Sequence, residues 1–283
     1  MTLHLPGLER AISAALDEDL ALGDPTTAGL IPEHLTGKAS FVAREGGVLA
    51  GVSVAMAVMR KVDPELKTRA LLRDGEVIGP GAVIGSVEGR VSSILIGERT
   101  ALNFVQRMSG IASLTARYVH EVNGTAATIV DTRKTAPGLR TLDKYAVAAG
   151  GGKNHRMCLG DGILIKDNHI AALRAEGMSL AQVVKRARTK APHTVKIEVE
   201  VETLVEAQEA IRGGADIILA DNMQIPELEK VVALARGKAI VEASGGVNLD
   251  TVGRIARTGV DLISVGALTH SVKALDIGLD YDK

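Results

Sequence analysis

Two blocks of this sequence sort charge by sign. Residues 131–169 hold seven Lys/Arg (Arg133, Lys134, Arg140, Lys144, Lys153, Arg156, Lys166) against four Asp, a net +3; residues 198–221 hold seven Asp/Glu against Arg212 alone, a net −6. Brought to one place, such blocks suit a small polyanionic molecule. Guanidinium forks meet carboxylate or phosphate through two parallel charge-assisted hydrogen bonds, and the acidic side can hold a divalent cation or accept hydroxyl hydrogen bonds. Asp131-Thr132-Arg133-Lys134 and His155-Arg156 are the densest clusters, the second shortly after Gly150-Gly151-Gly152. Lys166 closes an apolar run over 162–166 and reads as a snorkelling strand-end lysine, an anion contact or a Schiff-base nucleophile. His169 either orients a loop or caps the next helix. Ser244-Gly245-Gly246 and Gly266 offer backbone N–H groups to an oxyanion, because glycine lets the main chain approach closely and a following helix N-terminus adds its dipole.

The elements that must position these residues follow from periodicity. Short β-branched runs over 127–131, 162–166, 195–201, 216–221, 239–244 and 261–266 read as strands, and the last four start 21 to 23 residues apart, the spacing of a compact βα unit. Helix signals lie between them: Ser179 is an N-cap, and Leu204, Ala207 and Ile211 share a face that Gly213 ends. About six such units imply a parallel sheet closed or nearly closed into a barrel, fewer than the eight of a full TIM barrel. Side chains at strand carboxyl ends then converge on one mouth. There Ile197, Val199 and Val201 face the helices, so Glu198, Glu200 and Glu202 face the lumen, where unpaired carboxylates are costly and need cationic or hydroxyl partners.

The first ~110 residues lack the βα repeat. Runs over 38–45 and 83–89 and a buried helix over 48–59 sit among Gly-rich turns, an α+β pattern, and a helical segment over 97–107 connects the two parts. The expected division is an N-terminal domain over 1–110 and a barrel over 111–269, with 270–283 free to run back onto the first domain.

Composition excludes several classes. The chain of 283 residues is 46% hydrophobic and 24% charged, an ordinary globular composition, and its net charge of −1 provides no basic field for nucleic acid. Aromatic residues are only 2%, with no Trp, so base-stacking platforms are not expected. The apolar run over 48–59 is too short to span a bilayer. The N-terminal stretch MTLHLPGLERAIS has no basic region followed by an apolar run and a cleavage site, so no secretory signal is expected. A single Cys158 rules out an internal disulfide, fits the cytoplasm and reads as a small buried filler.

Several blocks closely resemble the quinolinate phosphoribosyltransferase family, the carboxylating (in the biosynthetic direction decarboxylating) nicotinate-nucleotide pyrophosphorylases. They are DTRKTAPGLRTLDKYAVAAGGGKNHRMCLGDGILIKDNHI (131–170), IEVEVETLVEA (197–207), ILADNM (218–223), EASGGV (242–247), ISVGALTHS (263–271) and GERTALNFVQRMSGIA (97–112). The resemblance spans nearly the whole chain, departing at Cys158 and Ala148-Ala149. It implies an α/β fold, an N-terminal α/β sandwich joined to an open barrel of six to seven strands, and a homodimer or higher homo-oligomer. It implies transfer of phosphoribosyl from phosphoribosyl pyrophosphate to quinolinate with Mg²⁺, giving nicotinate mononucleotide, pyrophosphate and CO₂ in NAD biosynthesis. It further implies that Arg133, His155, Arg156 and Lys166 meet quinolinate, with Arg99 supplied by the partner subunit, and that Thr132 is a substrate-binding residue. Lys134 and Lys166 would meet pyrophosphate, Glu200 and Asp221 the ribose hydroxyls and metal, and Ser244, Gly245, Gly246 and Gly266 the 5′-phosphate.

Overall fold

The structure is a computed structural model that describes residues 5–282, so the first four residues of the stretch read for a leader lie outside it. The chain forms two compact units that interleave along the sequence: 1–116, 135–151 and 268–283 make the first, and 117–134 with 152–267 the second. The N-terminal elements are α1 (Leu8–Asp19), α2 (Pro25–Leu30), β1 (Thr36–Ala43), β2 (Gly47–Val48), α3 (Val52–Val62), β3 (Lys67–Ala70), β4 (Val77–Ile78), β5 (Val83–Arg90) and α4 (Val91–Glu121). Then come β6 (Thr128–Val130), α5 (Arg140–Ala149), β7 (Ile163–Ile165), α6 (Asp167–Ala175), α7 (Leu180–Lys190), β8 (Ile197–Val201) and α8 (Leu204–Gly213). The chain ends with β9 (Ile217–Asp221), α9 (Ile225–Ala235), β10 (Ile240–Ser244), α10 (Leu249–Arg257), β11 (Leu262–Ser264), α11 (Ala267–His270) and β12 (Ile277–Tyr281).

In the first unit a four-stranded antiparallel sheet runs β12-β1-β5-β3. Alternation along β1 buries Ala39, Phe41 and Ala43 on one face, and α3 contributes Val54, Ala55, Met56, Val58 and Met59 to the same core. The apolar run over 48–59 is therefore not one helix. Its first residues are extended, because the Val48 amide donates to Ser113 Oγ (2.8 Å) and the Ala50 amide to Ser109 Oγ (3.0 Å) on α4. Gly51, at φ 89, turns the chain before α3 starts at Val52. The helix expected over 97–107 extends to 31 residues, about 46 Å at 1.5 Å per residue. Ala101, Val105, Met108 and Ala112 form its buried stripe. Arg107 on α4 grips the wholly buried Asp143 of α5 with two hydrogen bonds (2.9 and 2.8 Å), and Asp143 also accepts from the Ala136 amide (3.1 Å). This clamp fixes the segment that directly follows Lys134 in the chain.

The second unit holds a parallel sheet of six strands in the order β6-β11-β10-β9-β8-β7. Its register is locked by a repeated device. Asp216 and Asp261, each just before a strand, accept from amides at the start of neighbouring β8 and β10 (Ile197 N–H, 2.7 Å; Val241 N–H, 2.8 Å). Ser179 caps α7 through the Gln182 amide, as its position in the sequence suggests. Gly213 instead ends α8 inside a tight contact with α7, where an added Cβ would lie 2.9 Å from the Ala181 carbonyl; Gly214, at φ 91, is the left-handed cap. No helix among the described residues is long and apolar enough to cross a membrane.

Candidate active site

The strand alternation of the second unit decides what its lumen presents. Leu164 and Lys166 follow β7 inward, Glu200 comes from β8, Leu219 and Asp221 from β9, Glu242 and Ser244 from β10, and Ser264 from β11. Together with Thr132, Arg133, Lys134, His155 and Arg156 from the connecting loops, they line one cavity of about 440 Å³. All of these residues belong to the second unit. Four cationic side chains thus meet three carboxyl groups over a distance of one small molecule. The sequence reading placed Thr132, Arg133, Lys134, His155, Arg156, Lys166, Glu200, Asp221 and Ser244 in a common site, and the cavity brings these together. Arg99 is not among the lining residues; it stands exposed on α4 in the first unit. Glu202 lies beyond the end of β8 and is exposed, so it does not face the lumen as expected; its amide caps onto Glu206 (3.1 Å). Cys158 is exposed rather than a buried filler, because it sits in a surface loop beside Leu159, itself 71% exposed.

Electrostatics within the cavity follow from burial and proximity. Glu200 is held above the usual carboxylate range by burial first, with Asp221 and Asp167 adding to the rise and Lys166 opposing it. Arg156 is pulled below the usual guanidinium value by burial, then by Arg133, while Glu198 opposes the shift. Two carboxylates on adjacent strands, Glu200 and Asp221, form an all-oxygen donor pair that repels itself, the arrangement a hard divalent cation relieves. His169 caps α6, since its Nδ1 accepts from the Lys166 amide (3.0 Å) and so braces the base of the Lys166 side chain.

The turn after β10 shows why its residues are small. Gly245 lies at φ 87, and a Cβ there would sit 2.8 Å from the Asn222 amide nitrogen, so only glycine fits both constraints. Asn222 is the only non-glycine residue with positive φ (54°) among those described; its amide donates to the Ser244 carbonyl (2.9 Å) and its side chain to Asp221 (2.8 Å). Asp221 and Ser244 are held side by side as a result. Gly246 follows at φ 61, and Asn248 caps α10 beyond the glycines by accepting from the Asp250 and Thr251 amides (3.0 Å each).

Beneath the cations lies a polar cluster. Asp131, fully buried, accepts the His155 amide (2.8 Å), and His155 Nδ1 accepts the Arg156 amide (2.8 Å). An Nδ1 that accepts has no hydrogen, so the hydrogen is on Nε2, directed at Glu198 Oε2 (3.1 Å) and Glu242 Oε2 (3.6 Å). Both ring nitrogens are therefore engaged within the protein. His155, Glu198 and Glu242 present donor atoms within 4.8 Å of one another. The tautomer argues against a cation there, because metal on Nε2 needs the proton on Nδ1, where it would oppose the Arg156 N–H. Leu219, Leu164 and Ser264 were not singled out in the sequence, and Glu242 only as part of the block 242–247. The period-two step from Asp221 back to Leu219, and from Ser244 back to Glu242, is the signal that finds them.

The chain matches the quinolinate phosphoribosyl transferase N-terminal domain over residues 24–109 and the C-terminal domain of the same family over residues 111–280. It is 44% identical to quinolinate phosphoribosyltransferase [decarboxylating] 1b of Nicotiana tabacum, over 97% of this chain and 82% of that protein. It is 41% identical to a probable nicotinate-nucleotide pyrophosphorylase [carboxylating] of Bacillus subtilis, over 96% of this chain and 93% of that one. Among solved structures, NadC from Streptococcus pyogenes superposes with a TM-score of 0.93 at 40% identity, with all of both chains covered. The nicotinate-nucleotide pyrophosphorylase from Francisella tularensis gives 0.91 at 37%, covering 100% of this chain and 99% of that one. With both domains matched and relatives of this identity aligned along almost their full length, the chain belongs to the quinolinate phosphoribosyl transferase family.

Proposed function

We propose that this chain transfers the phosphoribosyl group of phosphoribosyl pyrophosphate to quinolinate and decarboxylates the product, giving nicotinate mononucleotide, pyrophosphate and CO₂ for NAD biosynthesis. The observation that carries this reading is the convergence of Arg133, Lys134, Arg156 and Lys166 with Glu200 and Asp221 on one cavity. Both substrates are polyanions. Arg133 and Arg156 suit the carboxylates of quinolinate, and Lys134 and Lys166 the pyrophosphate. Thr132 is in reach of the same anions, while Ser244, Gly245, Gly246 and Gly266 offer hydroxyl and N–H groups for the 5′-phosphate. Departure of pyrophosphate builds positive character on the ribose carbon, which Glu200 and Asp221 stabilise electrostatically while they hold the ribose hydroxyls. The donor pair Glu200 and Asp221 also fits Mg²⁺, which when bound supplies charge neutralisation of the leaving group. Once the ring nitrogen carries the ribose, its positive charge stabilises the carbanion left by CO₂, so the protein mainly positions and desolvates. His155, with its nitrogens engaged, shapes the cavity floor beside the acceptor.

The working unit in this reading is a homodimer or higher homo-oligomer in which the partner's Arg99 completes the quinolinate site; the exposure of Arg99 and its absence from the cavity lining support this. The exposed thiol of Cys158 supports a reducing cytoplasmic setting.

The test is turnover of quinolinate with phosphoribosyl pyrophosphate and Mg²⁺, followed through pyrophosphate and CO₂, with nicotinate as the competing acceptor. Lys134→Ala and Arg156→Ala each remove a charged hydrogen-bonding partner worth about 1.5–3 kcal/mol, so kcat/KM should fall roughly 10- to 150-fold with the fold intact. Wild-type turnover in either variant would remove these residues from the site, and preference for nicotinate would change the acceptor.

A further inference from the structure

Glu242 lies on the cavity floor in the middle of β10, 1% exposed, and neither of its carboxyl oxygens makes a hydrogen bond of ordinary geometry. The titratable groups that face it are Glu198 from β8 and His155 from the loop between α5 and β7, beside the Ser264 hydroxyl of β11. The His155 Nε2–H is a single donor set between two buried carboxyl groups, 3.1 Å from Glu198 and 3.6 Å from Glu242. One neutral N–H does not compensate two buried carboxylates, and protonating one costs far less than burying it unpaired. Glu198 has the closer contact, so the proton belongs to Glu242. Consistently, burial first and the Glu198 charge second push the Glu242 carboxyl up to about 7. The floor of a cavity otherwise lined by cations and carboxylates therefore holds a neutral acid.

Resting on the phosphoribosyl-transfer reading above, we infer that Glu242 is the acid that gives the ring carbon its proton as carbon dioxide leaves. The bond between C2 and its carboxylate breaks with the electron pair left on carbon. The Glu242 O–H bond breaks, its proton forms the new C–H bond, and CO₂ departs neutral. Glu242 remains as a carboxylate and regains a proton from solvent after product release. The neutral His155 would be left as imidazolate if it gave up its proton, whereas Glu242 would be left as an ordinary carboxylate. Without a positioned donor the carbanion recaptures CO₂, and the undecarboxylated nucleotide accumulates.

The experiment compares wild type and Glu242→Gln in single turnovers of quinolinate labelled in its 2-carboxylate, with phosphoribosyl pyrophosphate and Mg²⁺, reading pyrophosphate and CO₂ separately. Glu242→Gln should slow CO₂ release about a hundredfold more than it slows pyrophosphate release, the size of a general-acid contribution. In wild type the acid form is required, so the CO₂ yield per pyrophosphate should fall as pH rises through about 7, a readout independent of whether the variant folds. Equal losses of both products in the variant, equal wild-type rates of both, or a wild-type ratio flat with pH each overturn the assignment. Absence of pyrophosphate release from the wild type refutes the transfer reading instead.

Discussion

Replacing Arg107 by Leu tests whether the clamp between α4 and α5 is a structural requirement. Asp143 is wholly buried, and its two oxygens are held by Arg107 Nε at 2.9 Å and Nη2 at 2.8 Å, with the Ala136 amide at 3.1 Å as a further donor. Arg107 also donates to the Thr269 carbonyl (3.1 Å). Removing one partner of a buried pair leaves the other charge uncompensated, at about 3–5 kcal/mol. Because the Arg107 side chain is 28% exposed, water can reach part of the vacated space, and the lower end of that range, about 3 kcal/mol, applies. In a chain of this length each kcal/mol moves the thermal midpoint by about 2–4 °C, so Arg107→Leu should melt about 6–12 °C lower. Asp143→Leu removes the buried charge itself but leaves Arg107 with only the Thr269 carbonyl and the Ala136 amide without its side-chain acceptor. The double variant Arg107→Leu/Asp143→Leu should lose less than the sum of the singles, with about 2 kcal/mol or more recovered as coupling. Differential scanning calorimetry of the four proteins gives the cycle. Strict additivity, or a loss below about 1 kcal/mol in Arg107→Leu, would refute the view that a buried, paired charge holds this segment.

Gly245→Ala places a Cβ at φ 87 and 2.8 Å from the Asn222 amide, so it should cost about 1–3 kcal/mol of strain and raise the KM for phosphoribosyl pyrophosphate more than that for quinolinate. Gly177→Ala, at φ 80 with nothing within 4 Å of the new Cβ, is the control, and an equal kinetic effect in both would show that the crowding against Asn222 is irrelevant. Mixing the impaired Arg99→Ala and Lys134→Ala chains should restore about one wild-type site per heterodimer if sites are shared. No recovered turnover after subunit exchange would mean that each subunit holds a complete site.

Local rules decided much of this protein before any tertiary contact is considered. Period-two alternation in the β-branched runs fixes which side chains of β8, β9 and β10 share a face, and Ser179 specifies a helix start through its own hydroxyl. Glycine at 245 is the residue a left-handed turn demands. What only the tertiary structure decided is which charges matter. Of the seven cations in residues 131–169, Lys144 is buried on α5 and Arg140 donates to Thr135 Oγ1, whereas four others reach the cavity. Of the acidic block, Asp216 locks the start of β8 and pairs with Arg188, Glu206 pairs with Arg174, and Glu209 accepts from the start of α7. Sequence counts charge without direction. Direction is set by helix and strand phase and by partners tens of residues away, as with His155, whose tautomer depends on Arg156 beside it and on carboxyl groups from β8 and β10. The apolar run over 48–50 is extended for the same reason, because serines on α4 claim its amides before a helix can.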